Sequence, residues 1–390
     1  MYKGIKEVLS VFPSKKCQLH TTRSWDFMGF AENITRNPTL ESDIIIGVLD
    51  SGIWPESKSF SDRGLGPVPK KWKGTCQGNQ SFTCNRKIIG ARIYDSDTIR
   101  DDEGHGTHTS STAAGKKVRG ASFHNLANGT ARGGAPSSRI AAYKVCESSC
   151  SGADILAGFD DAIADGVDII TISSGYLRPQ KLAEDIYAIG SFHAMANGIV
   201  VVNSAGNAGP VEATIHQLAP WLISVGASSI DRMVIDKVVL KDGRTLIGRS
   251  LNLYSMGREP KYPVTYASKF DSNCSDDLIR KCECIDKDLV RGKIVVCTSD
   301  AEYYLREYGA AGMIFNTTID YPKSYWLPAL SLTSQDFVQI EAYANTAGAR
   351  ATILESEDGK DPLAPVVVSF SSRERKNTII IGNRQIGDSS

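Results

Sequence analysis

Long apolar runs are missing from this chain: stretches such as Ile44-Ile45-Ile46 and Ile199-Val200-Val201-Val202 fall far short of the roughly 20 residues that cross a bilayer, so no membrane partner is expected. Net charge is missing too. Forty-four Lys plus Arg offset forty-four Asp plus Glu over 390 residues, which leaves no field to gather nucleic acid or anionic lipid, and no nucleic-acid partner is expected. The opening Met1-Tyr2-Lys3-Gly4-Ile5-Lys6 has a basic start but neither the apolar core nor the small-residue cleavage site of a secretory signal. Internal repeats and low-complexity tracts are also absent.

What is present describes a globular chain with material for two or three domains, 41% hydrophobic and 23% charged. From Asp43 to about Gly226 short apolar runs alternate with helical periodicity, which predicts an α/β fold, a parallel sheet with helices on both faces. Strands are expected at 43–49, 139–145, 167–172, 199–203 and 221–226. A helix is expected at 153–165, with Ile155, Leu156, Phe159, Ala162 and Ile163 inward and Gly166 as its stop. A second is expected at 181–197, with Leu182, Ile186, Ile189 and His193 inward. After about Tyr262 a smaller unit begins, with strands at 292–297 and 312–316 around a helix at 301–308. A further strand is read at 366–371, and the tail is polar apart from Thr378-Ile379-Ile380-Ile381.

Five N-x-S/T sequons, at Asn33, Asn79, Asn128, Asn273 and Asn316, and nine cysteines point outside the cytosol. The close spacings Cys76/Cys84 and Cys146/Cys150 each suit a small closed loop, and the odd count leaves at least one cysteine unpaired. The group at 274, 282, 284 and 297 has a C-x-C but lacks the C-x2-C pairs and nearby His of a structural zinc site, so no metal is expected there. No carboxylate-rich loop marks a calcium site either.

In an open parallel sheet reactive groups collect at the carboxyl ends of the strands, and three segments put them there. The apolar strand ending Val48-Leu49-Asp50-Ser51-Gly52 delivers a carboxylate before a glycine turn. Gly104-His105-Gly106-Thr107-His108-Thr109 opens a small-residue helix whose first turn carries an imidazole. Val201-Val202-Asn203-Ser204-Ala205-Gly206-Asn207 ends a strand in a glycine-flanked amide suited to donate to an oxyanion. Each alone also reads as a turn former or a packed histidine. A zinc pair of His105 and His108 lacks the Glu of H-E-x-x-H.

Asp, then His, then a donor Asn is the chain order of a subtilisin-type site. Asp50-Ser51-Gly52-Ile53-Trp54-Pro55-Glu56, His105-Gly106-Thr107-His108 and Ala205-Gly206-Asn207 resemble the subtilase family of serine endopeptidases, in its plant, cucumisin-like branch, over about residues 1–373. The resemblance implies that Asp50 orients the histidine, that His105 is the general base and that Asn207 is the side-chain oxyanion donor. It implies polypeptide substrates bound as an added strand along Ile172-Ser173-Ser174-Gly175, where the family usually continues with a second glycine and this chain has Tyr176. It also implies an inhibitory propeptide ending in 1–20 with cleavage between His20 and Thr21, and a catalytic core at 21–261. An inserted protease-associated domain would fill 262–362, and 363–390 would begin the return to the core. Disulfides Cys76 to Cys84 and Cys146 to Cys150, no cofactor and a secreted, extracellular location follow from the same likeness.

The family's nucleophile lies in a Gly-Thr-Ser-Met segment, and no Gly-Thr-Ser occurs in these 390 residues. Ser369-Phe370-Ser371-Ser372-Arg373 resembles the return to the core, after which the chain diverges. The expectation is therefore a chain incomplete at both ends, inactive in acyl transfer by itself, with sheet edge and apolar surface exposed. The alternative is a catalytically dead homologue that keeps the groove to bind peptides or partner proteins.

Overall fold

The computed structural model describes residues 23–78, 82–147, 149–176, 179–266, 274–317 and 321–374. The expected cleavage point His20/Thr21, the 1–20 segment, Cys17, the sequons Asn79 and Asn273, and Thr378-Ile379-Ile380-Ile381 lie outside the described residues.

The first half holds strands β1 (Ile45–Asp50), β2 (Ile88–Ile93), the hairpin β3 (Val118–Phe123) and β4 (Leu126–Ala131), then β5 (Arg139–Lys144), β6 (Ile169–Ile172), β7 (Val200–Ser204) and β8 (Ile223–Val225). Six of these form one sheet in the order β2-β5-β1-β6-β7-β8 with every pairing parallel. β1 and β5 are buried along their whole length, as apolar runs covered on both faces must be. The register aligns Leu49 with Ile172, Ile172 with Asn203, and Asn203 with Ser224, so four strands end level. Their carboxyl ends share one edge.

Helix Gly152–Asp165 ends as expected at Gly166, whose φ of 83° suits a residue without a side chain. The next helix is shorter than expected, Ile186–Ala196, because Asp185 accepts from the Tyr187 amide and so caps it. Its inner face is also corrected. Tyr187, Ala188, Gly190, Ser191 and Ala194 are buried, while Leu182 and His193 are exposed. Close approach selects small residues there: a methyl group on Gly190 would lie 2.3 Å from the Phe159 ring.

The second half holds β9 (Arg232–Leu240), β10 (Thr245–Gly248), β11 (Tyr262–Tyr266), β12 (Ile294–Cys297), β13 (Gly312–Asn316), β14 (Ala329–Leu332), β15 (Arg350–Ile353) and β16 (Glu357–Lys360). They make an eight-stranded sheet, β10-β9-β15-β11-β12-β13-β14 with β16 also on β9, antiparallel on one side and parallel from β11 to β14. This corrects the boundary expected at 262, since β9 and β10 belong to the second sheet. Their turn, Asp242-Gly243 with φ 89° at the glycine, closes a hairpin that precedes the texture change.

The chain enters and leaves this second unit at one point. The Asp361 amide donates to the Asp231 carbonyl at 2.9 Å, and the Ser229 amide to the Val366 carbonyl at 2.8 Å. The strand expected at 366–371 is not formed, apart from one bridge between Ser228 and Val367. Its backbone is used singly instead. The Gly209 amide donates to Phe370, the Ser372 amide to Gly206, and the Thr214 amide to Arg373, which buttresses the loop after β7.

Candidate active site

Asp50 ends β1 with its side chain buried, and three donors hold its carboxylate: His105 Nδ1 at 2.6 Å, the Ser51 amide at 2.8 Å and the Thr109 hydroxyl at 2.9 Å. A carboxylate only accepts, so the geometry assigns the proton to Nδ1 and leaves Nε2 as the basic nitrogen. His105 opens helix His105–Ala114 and is half exposed, so that nitrogen is open to a reacting group. Thr109 lies one turn along the same helix and holds the second carboxylate oxygen.

Two glycines make this approach possible. A methyl on Gly106 would lie 2.2 Å from the Gly52 carbonyl, and one on Gly52 would lie 2.3 Å from the Ile99 carbonyl. Gly52 also has φ 114°, open only to glycine at low cost. The helix therefore sits directly on the turn after β1.

Asp101 supports the same helix start, accepting from the Gly104 amide at 2.8 Å, the Thr107 amide at 2.7 Å and the Thr107 hydroxyl at 2.6 Å. Burial alone would raise its carboxyl, but the bonds from Thr107, Ser51 and Gly104 outweigh it and hold the group below the usual carboxylate range. Ser51 is committed here. Its hydroxyl donates to Asp101 at 2.8 Å and accepts from the Gly106 amide at 2.9 Å, so it is not available as a nucleophile for His105. Asp101 and Thr109 were not singled out from sequence; the run Asp101-Asp102-Glu103-Gly104 just before His105 was the available signal.

Ser173, Ser174 and Gly175 follow β6, and Asn207 follows β7 through Ala205 and Gly206, whose φ is 104°. Both segments thus lie on the edge where β1 delivers Asp50, with β6 next to β1 and β7 beyond it. Asn207 and Gly175 are exposed. The Ser174 hydroxyl lies 3.0 Å from Tyr187 Oη, and Tyr176 packs edge-on against the same ring at 5.5 Å, which turns the replaced glycine position toward the core.

Four disulfides join Cys76 to Cys84, Cys146 to Cys150, Cys274 to Cys284 and Cys282 to Cys297. The last two consume the four cysteines considered above as zinc ligands. Among the described residues no three His, Cys, Asp or Glu side chains gather as for a metal ion, and no helix is long and apolar enough to cross a membrane. Of the described sequons, Asn33 and Asn128 are exposed, whereas Asn316 is half-buried and accepts from the Ser334 hydroxyl at 3.3 Å.

Residues 41–373 match the Peptidase_S8 family, described as the subtilase family. The chain is 51% identical over 381 residues to subtilisin-like protease SBT4.3 of Arabidopsis thaliana, covering 95% of this chain and 52% of that protein. It is 50% identical over 386 residues to subtilisin-like protease SBT4.12 of the same plant, covering 97% of this chain and 52% of that one. The chain spans about half the length of the curated relatives it matches.

Proposed function

This chain belongs to the subtilase family, and from that premise we propose that it carries the base, its orienting carboxylate and the peptide groove of a secreted serine endopeptidase. In this reading His105 takes the proton of an attacking serine hydroxyl through Nε2. Asp50 fixes the tautomer and stabilises the imidazolium that results. The amide of Asn207 donates to the oxyanion of the tetrahedral intermediate. Polypeptide pairs as an added strand along Ser173, Ser174 and Gly175. An inhibitory propeptide would precede Thr21, and residues of the second sheet would form a protease-associated domain without chemistry of its own.

The observation that carries the reading is the buried Asp50 carboxylate held by three donors, one of them His105 at 2.6 Å. Four disulfides support an oxidising, extracellular setting. The test is peptide hydrolysis by the full natural protein that contains these residues. Asp50→Asn should lower kcat roughly 10⁴-fold with KM little changed. Hydrolysis that survives this change undiminished sinks the assignment. The 390-residue chain alone, which contains no Gly-Thr-Ser, should take no label from a fluorophosphonate; a labelled serine would overturn that expectation.

A further inference from the structure

Asn207 is exposed, and no described residue bonds its side chain, so the direction of its amide rests on the backbone to either side. That backbone is soft by composition. Glycines stand at 206 and 209, φ at Gly206 is 104°, and glycine gives a loop more conformations to visit. A donor aimed at developing charge works because its direction is fixed beforehand, and a misplacement of about 1 Å can cost roughly 10²-fold in rate. The fixing has to come from outside the loop.

Ser372 supplies it from both sides. Its amide donates to the Gly206 carbonyl at 2.9 Å, and its hydroxyl accepts from the Ala208 amide at 3.2 Å. The Gly206 carbonyl belongs to the peptide unit before the Asn207 Cα, and the Ala208 amide to the unit after it. Each unit is a rigid plane, so one residue holds both planes and with them the direction of the Asn207 Cα–Cβ bond. Ser372 is only 5% exposed, which keeps its hydroxyl on this task and away from water.

The next residue back makes a natural control. The Ser371 hydroxyl, also buried, accepts from the Ala227 amide at 3.1 Å, in the loop after β8. A methyl on Gly209 would lie 2.0 Å from the Ser371 carbonyl, so the two segments pack backbone to backbone. Ser371 and Ser372 thus bond adjacent strand-end loops by the same chemistry, but only Ser372 grips the peptide units of Asn207.

We propose that Ser372 is a positioning residue that clamps the two peptide units around Asn207 and so aims its amide at the oxyanion. This rests on the reading of Asn207 as the oxyanion donor. Ser372 acts through Asn207 and makes no contact with the reacting atoms.

The experiment is a double-mutant cycle on the full natural protein that contains these residues, read with a quenched-fluorescence peptide chosen from a library by cleavage with the parent. Asn207→Ala should lower kcat roughly 10²- to 10³-fold. Ser372→Ala should lower kcat at least about tenfold with KM within about twofold, since the interaction it sets up is made only in the transition state. In the Asn207→Ala background the same change should lower kcat by less than about twofold, because the residue it acts through is gone. Ser371→Ala should lower the melting temperature about as much as Ser372→Ala but kcat by less than about twofold. Hydrogen exchange in the 390-residue chain should quicken at 205–209 in Ser372→Ala and stay unchanged in β7. Ser372→Cys, close in size and a weak acceptor, serves in the same cycle if the alanine variant does not fold. A loss of kcat that persists in the Asn207→Ala background, an equal loss in Ser371→Ala, or unaltered exchange at 205–209 overturns the clamp and leaves the donor reading intact. An undiminished kcat in Asn207→Ala, or a parent protein that cleaves no peptide, overturns the donor reading and the clamp with it.

Discussion

At the first sheet and the loop after β7 the side chains of the deeply buried Asn203, His216 and Gln217 have no hydrogen-bond partners, whereas in the second sheet the fully buried Asp236 accepts from the Ser250 amide, from the Ser250 hydroxyl at 3.0 Å and from the Ser356 hydroxyl. The same Ser250 oxygen lies 2.7 Å from the Ala329 carbonyl, which ties the network into β14. The first arrangement leaves buried side-chain atoms unpartnered near the strand ends. The second spends them on joining strands. A finished network can join strands, as at Asp236, or hold a candidate site in shape, as the three donors do at Asp50.

The largest effect that could break this comparison is backbone contact beside the site. Gly106→Ala would drive a methyl against the Gly52 carbonyl at 2.2 Å and within 3.2 Å of Asp50 Cβ, and neither neighbour is a flexible side-chain tip. We expect a loss of about 3 kcal/mol with separation of His105 from Asp50. Gly348→Ala, near the second sheet, meets nothing within 4 Å and should cost only about 1 kcal/mol from its φ of 72°. Urea unfolding of the two variants checks the contrast, and equal losses would remove it.

The pH dependence should differ in sign between the two regions. Burial pushes Asp236 up to about 6 from 3.8, against the hydrogen bonds it accepts, so the native state holds this proton more tightly than the unfolded chain. Its contribution is complete below pH 3.8 and is lost as pH rises through about 6, by roughly 3 kcal/mol. Burial pushes His216 down from 6.5, so its contribution is present above pH 6.5 and is lost on acidification. Hydrogen exchange read segment by segment between pH 4 and 8 should show β9 loosening toward high pH and residues 214–217 toward low pH. Loosening of both at the same end would sink the contrast.

The smallest effect concerns the disulfides. Cys282–Cys297 closes a longer loop within a buried cluster, while Cys146–Cys150 spans four residues, so chain-entropy arguments give about 3 kcal/mol for the first and about 2 for the second. Cys→Ser pairs at each bridge, compared by calorimetry, should keep that order.

The parallel sheet was legible because β1, β6 and β7 hold short apolar runs, and a run buried along its whole length, as β1 is, leaves little choice. Asp50 and His105 were legible because a strand end and a helix start constrain what a polar residue there does. The supports were not. Asp101, Thr109 and Ser51 act through distances that a linear pattern does not encode, and His216 sits in a run, Thr214-Ile215-His216-Gln217, that looks like any loop. The second sheet was placed too late because β9 joins it through tertiary pairing with β15 and β16 and brings β10 with it.

The adjacent carbonyl of Asp231 and amide of Asp361 make the whole second sheet, from the viewpoint of the first, a loop with its ends already joined. Such loops are nearly indifferent to their contents, since each doubling of length adds only about 0.6 kcal/mol of closure cost. Recombination could exchange, enlarge or drop this cassette without asking the first sheet to refold. The two halves are thus free to be inherited, and to diverge, at different rates.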